Sequence, residues 1–98
     1  MANIQNQEET LTKLDTPRKY NVIFHNDDYT PMEFVIELLM ILFNKNPEDA
    51  FNITQTVHLN GKAIVGSYPK NIATMKVKKV QDIAKENEYP LKCTMEVE

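Results

Sequence analysis

The amino-acid sequence predicts an α+β domain of two layers: a three-stranded antiparallel sheet with three helices on one face, in the order β-α-α-β-α-β. Three observations predict it. Three short segments, KYNVIFH at 19–25, KAIVGSY at 62–68 and LKCTMEV at 91–97, carry strand-type patterns bounded by turn residues. Three longer segments between them repeat apolar residues at three- and four-residue spacing. The chain has 98 residues, enough for one core and no more.

The elements follow in order. Residues 1–18 are polar, with Glu8, Glu9 and Asp15, and are expected to form a flexible N-terminal extension to a core of residues 19–98. The first strand alternates through Tyr20, Val22 and Phe24, with Ile23 as an extra apolar residue. NDDYTP breaks it with turn-forming side chains. Thr30 is expected to cap the first helix, with Pro31 at its first position and Glu33 completing a T-x-x-E capping box. Phe34, Val35, Leu38, Leu39 and Leu42 form its apolar face, and the helix is expected to run to about Asn44. Asn46-Pro47-Glu48-Asp49 opens the second helix, whose inner face holds Ala50, Ile53, Thr54 and Val57. Asn60-Gly61 supplies a left-handed exit.

The second strand contains the small residue Gly66 and stops at Pro69. The third helix is expected over Asn71 to Asn87, with Ile72, Met75, Val80, Ile83 and Ala84 facing the core. Pro90 breaks it, and the last strand alternates cleanly.

Composition narrows the function classes. Net charge is −3, and the cluster Lys76, Lys78 and Lys79 lies at helical spacing, so it reads as a solvated face rather than a nucleic-acid footprint. The one cysteine, Cys93, makes no internal disulfide and fits a reducing compartment. The longest apolar run, VIELLMILF at 35–43, is too short to span a bilayer. No secretion signal is read in residues 1–18, so a soluble, cytoplasmic protein is expected, with no nucleic-acid or membrane partner.

Polar functional groups cluster in HNDDYT (His25 to Thr30) and at His58. His25, Asp27, Asp28 and His58 are metal-ligand types, yet they lack any established ligand spacing. G-x-S-x-G, Walker, H-E-x-x-H and C-x-x-C patterns are absent from the sequence, so neither a metal nor another cofactor is expected. Ordinary turn chemistry accounts for HNDD, and helix C-capping accounts for His58. A further reading takes the pieces together. Acceptors on the turn and at the end of the second helix would ring an apolar pocket carrying Met32, Val35 and Val57, suited to a cationic amine joined to an apolar side chain.

HNDDYTPMEF (25–34), TVHLNGKAIVG (56–66) and EYPLKCTME (88–96), in this order and spacing, closely resemble the ClpS family. The resemblance spans roughly Tyr20 to Glu96. It implies an adaptor, not an enzyme. Such an adaptor binds proteins that begin with a large hydrophobic residue (Leu, Phe, Tyr or Trp). It docks on the N-terminal domain of a ClpA-type unfoldase and hands them to the Clp protease, the N-terminal extension taking part in delivery. Carried over by position, Asn26, Asp27 and His58 would bind the free α-amino group, and Asp28 and Thr30 would line the rim. Met32, Val35, Leu38, Val57 and Leu91 would form the apolar walls. Thr54 stands where the family often has Met, which narrows the pocket mouth; the smaller residue leaves open the order of Leu against the aromatics and the exclusion of Ile and Val. Asn71 stands where many members carry Glu in the unfoldase-docking face, while Lys76 in that face matches.

Two other classes remain open from the residues themselves. One is a binding module of another kind on the same architecture, as in the C-terminal domain of the ribosomal stalk protein. The other is a small metal-dependent hydrolase built on Asp27, Asp28 and the histidines.

Overall fold

The computed structural model describes residues 18–98. The expected extension, residues 1–18, lies outside the described residues except for Arg18. Six elements follow one another: β1 (Lys19–His25), α1 (Met32–Leu42), α2 (Pro47–Asn60), β2 (Lys62–Pro69), α3 (Lys70–Glu86) and β3 (Lys92–Val97). The order matches the expectation.

The sheet order is β2-β1-β3, with β1 central and antiparallel to both neighbours. The α1–α2 hairpin connects β1 to one edge, and α3 crosses β1 to reach the other. Val22 and Phe24 point into the core with Val65 and Cys93 from the neighbouring strands. Val35, Leu38, Leu39, Ala50, Val57, Ala73, Val80 and Ala84 of the helices pack against them. Phe24 is fully buried and meets Phe43 edge to face, ring centroids 5.5 Å apart. The extra apolar residue Ile23 lies on the opposite face, paired with Ile64 and Thr94, and is nonetheless buried. The β1–β2 register shifts between Val22 and Ile23, because Val22 pairs with Gly66 and Ile23 with Ile64.

Helix ends show where local chemistry decided the chain path. The start of α2 is as expected: Asn46 Oδ1 accepts the Asp49 N–H at 2.8 Å, with Pro47 next. Its end is as expected too, since Gly61 adopts φ 89° and its N–H reaches the Val57 carbonyl. The start of α1 differs. Pro31 is the cap residue and no side chain caps the helix. Thr30 lies one residue ahead of that cap, so the capping box does not form, and its Oγ1 donates to Asp27 Oδ2 at 2.7 Å. The same helix stops at Leu42 rather than Asn44, because Asn44 turns left-handed (φ 55°) and the Lys45 N–H returns to the Leu39 carbonyl.

In α3 the inner face is Ala73, Val80 and Ala84, with Val77 and Ile83 partly buried, whereas Met75 is exposed. Small Ala73 lets the helix approach the sheet, and it carries no hydrophobic signal strong enough to outweigh Met75 in the sequence pattern. Gly66 has a specific role. The Tyr68 ring passes 2.5–2.8 Å from where a Cβ would sit, so any side chain there would displace Tyr68.

Candidate functional site

One backbone hydrogen bond assembles the site. The Asn26 N–H donates to the Gly61 carbonyl at 2.8 Å, continuing the pairing of His25 with Lys62. Gly61 ends α2, so this bond holds the HNDDYT turn against the helix end that carries His58. Between them opens a cavity of 240 Å³ lined by His25, Asn26, Asp27, Asp28, Thr30, Met32, Val35, Thr54, Val57, His58 and Leu91. Nearly all the expected pocket residues come together here. Leu38 does not: it is buried in the core and does not line the cavity. His25, which the resemblance leaves out of the pocket, also joins the lining. Its place at the end of the central strand was the available signal.

The interior is apolar. Val35, Val57 and Leu91 are almost fully buried, while Met32 stands half-exposed at the rim. Thr54 is buried, and its hydroxyl donates to the Ala50 carbonyl at 2.8 Å, so it lines the interior without an unsatisfied polar group. An apolar cavity of about 150 Å³ accepts benzene. The present one has room for a leucyl or aromatic side chain.

The mouth is polar, and its two carboxylates differ. Asp27 Oδ1 accepts the Tyr29 N–H at 2.8 Å and the Thr30 N–H at 2.7 Å, and Oδ2 accepts the Thr30 hydroxyl. Three of its roughly four acceptor positions are therefore taken. Burial raises the Asp27 pKa, but these hydrogen bonds outweigh it and hold the carboxyl below its ordinary value. Asp28 is exposed and, among the described residues, accepts no hydrogen bond and makes no ion pair. The Asx-turn spacing from Asp27 to Thr30 was the signal in the sequence for which carboxylate the turn consumes. His58 lies in the last turn of α2 without a hydrogen bond among the described residues, the cap being served by Gly61. His25 Nε2 lies 2.7 Å from Thr94 Oγ1. Burial, then Lys92 and Lys62, lower the His25 pKa, with Glu96 opposing. Among the described residues no three His, Cys, Asp or Glu side chains gather as a metal-holding group.

The two docking residues sit elsewhere. Asn71 is exposed, beside Arg18, Tyr20 and Lys70. Lys76 Nζ donates to the Leu42 carbonyl at 2.5 Å and lies 5.3 Å and 5.1 Å from the Phe43 and Tyr68 ring centroids. It is engaged within the molecule, not presented freely.

The model of the ATP-dependent Clp protease adaptor protein ClpS matches residues 15–94. The chain belongs to the ClpS family. The ATP-dependent Clp protease adapter protein ClpS of Clostridium acetobutylicum is 54% identical over 83 residues, 85% of this chain and 82% of that one. Its counterpart in Shewanella loihica is 46% identical over 97 residues, 98% of this chain and 95% of that one. A solved structure of Agrobacterium tumefaciens ClpS2 bound to L-phenylalaninamide superposes with a TM-score of 0.81 at 38% identity, covering 84% of this chain and 99% of that chain. As a ClpS protein, the chain is an adaptor of the Clp protease and not an enzyme. No helix of the described residues is long and apolar enough to cross a membrane.

Proposed function

We propose that the cavity holds the first residue of substrate proteins whose α-amino group is free and whose side chain is Leu, Phe, Tyr or Trp, for delivery to a ClpA-type unfoldase. The observation that carries this reading is a polar, acceptor-rich mouth on an apolar interior of side-chain size. L-phenylalaninamide, bound by the Agrobacterium relative, has a free amine, a benzyl side chain and an amide in place of the next peptide bond. It is chemically an N-terminal phenylalanine.

The amine, with a pKa of roughly 7.7–8, is mostly protonated at neutral pH. Asn26 offers it a carbonyl oxygen, His58 a ring nitrogen in the neutral form, and Asp28 an uncommitted charge. Asp27, expected to bind the amine directly, has one acceptor position left and serves chiefly by holding the loop with Thr30. Burying a Leu or Phe side chain supplies roughly 1.5–3 kcal/mol. An acetylated terminus would leave the acceptors unpaired, at about 1–3 kcal/mol for each buried one. The docking face for the N-terminal domain of the unfoldase is assigned to the surface around Asn71 and Lys76, and residues 1–18 to delivery, both in a cytoplasmic protein.

The test is fluorescence anisotropy with a labelled peptide beginning with Leu, against the same peptide acetylated. Binding of the free peptide alone is expected. Equal binding of both, or of neither, removes the amine-reading pocket.

A further inference from the structure

A second groove shares one wall, Leu91, with the first cavity. It has a volume of 570 Å³ and is lined by Tyr29, Lys85, Glu88, Tyr89, Pro90 and Leu91, among others. Tyr29, in the second groove, lies in sequence between Asp28 and Thr30, which line the first. A chain whose first residue sits in the cavity must leave past this loop, and the loop's Tyr29 lines the groove.

Its floor is preorganised. Glu88 adopts φ 61°, and the Tyr89 N–H returns to the Ala84 carbonyl at 2.8 Å, which folds the segment back after α3. The Tyr89 ring then packs on Phe34, centroids 4.7 Å apart. Tyr29 is 79% exposed, and its side chain makes no hydrogen bond or aromatic pair among the described residues. An aromatic side chain left in water beside a binding mouth is surface available to a ligand. Lys85 and Glu88 place opposite charges along the groove, so neither sign of substrate charge is favoured.

We infer that this groove receives the second residue of the substrate, with a preference for an apolar or aromatic side chain laid between Tyr29 and the Tyr89-Pro90-Leu91 wall. The inference rests on the first-residue reading above, and it adds a second selection step to it.

Two labelled peptides beginning Leu-Phe and Leu-Gly, otherwise identical, are titrated against the protein and its Tyr29→Ala and Tyr29→Phe variants. Partial burial of a phenyl ring predicts that Leu-Phe binds about five-fold tighter than Leu-Gly. The ratio should persist in Tyr29→Phe and fall to near one in Tyr29→Ala. A ratio near one for the unmodified protein, or an unchanged ratio in Tyr29→Ala, overturns the groove assignment while leaving the first-residue pocket standing, since both free peptides still bind. Failure of both free peptides to bind overturns the pocket reading, and the groove assignment with it.

Discussion

Replacing Asp28 with Asn removes a negative charge from the pocket mouth and, among the described residues, breaks no internal hydrogen bond. The variant should therefore fold with wild-type stability and bind a free N-terminal Leu peptide less tightly. A hydrogen bond to a charged group contributes roughly 1.5–3 kcal/mol. Asp28 is exposed before the ligand arrives, so solvent screening puts the effect at the low end. About 1.5 kcal/mol corresponds to roughly a ten-fold weaker Kd. Asp27→Ala behaves differently. It deletes three hydrogen bonds that shape the loop, so both stability and affinity should fall. Peptide anisotropy and urea unfolding on both variants separate the two roles. If Asp28→Asn bound normally, and Asp27→Ala lost binding at unchanged stability, the division of labour would be reversed and Asp27 would hold the amine.

Four further outcomes are expected. Glu88→Gly should stabilise the fold by about 0.5–1 kcal/mol in urea, because glycine takes a left-handed φ without the penalty that a side chain meets. Lys76→Met should cost about 1–2 kcal/mol through its lost carbonyl bond and ring contacts, so any docking defect in that variant must be read against its unfolding curve. The Cys93 thiol, its pKa pushed up to about 12 by burial, should resist iodoacetamide at pH 8 in the folded protein and react once urea unfolds it. His25 has a folded pKa below its ordinary value of 6.5, so the unfolded chain binds the extra proton first. Stability should thus fall as pH drops below 6.5, and His25→Gln should flatten that slope in urea titrations from pH 7 to 5.

What the sequence revealed depended on how local the deciding contact was. Asn46 with Pro47, and Gly61, act within one helical turn, and both ends of α2 were legible. Thr30 does not cap because the helix begins one residue later, with Pro31 at the cap, and the Asp27 turn three residues earlier holds Thr30 through its N–H and hydroxyl. The inner face of α3 was partly misassigned because Ala73 is fully buried there while Met75 is exposed, and alanine writes a faint hydrophobic pattern. Lys76 was out of reach of local reading altogether. Its partner carbonyl is 34 residues away, and a lysine on a helix looks solvated until the tertiary packing is known. The cavity's polar mouth was visible because Asn26 to Thr30 are consecutive; of its apolar lining, Met32, Val35 and Val57 were legible from helix patterns and Leu91 only through the resemblance. Leu38, which the resemblance placed in the wall, is buried in the core, outside the cavity lining.

That border explains how selectivity is constrained. Val35, Val57 and Leu91 belong at once to the cavity wall and to the main core. The pocket is a place where the core stops short of closing, not a cleft added to a finished fold. Enlarging it by truncating Leu91 would cost about 2–5 kcal/mol, a large share of the stability of so small a domain. On the proposed function, selection for different first residues is therefore confined to positions whose change leaves the core intact. Among the apolar walls, Met32 meets that condition, being half-exposed. Substituting it should move preference among Leu, Phe, Tyr and Trp at little cost in stability, whereas substitutions at the buried walls, Thr54 included, should change stability first and preference second.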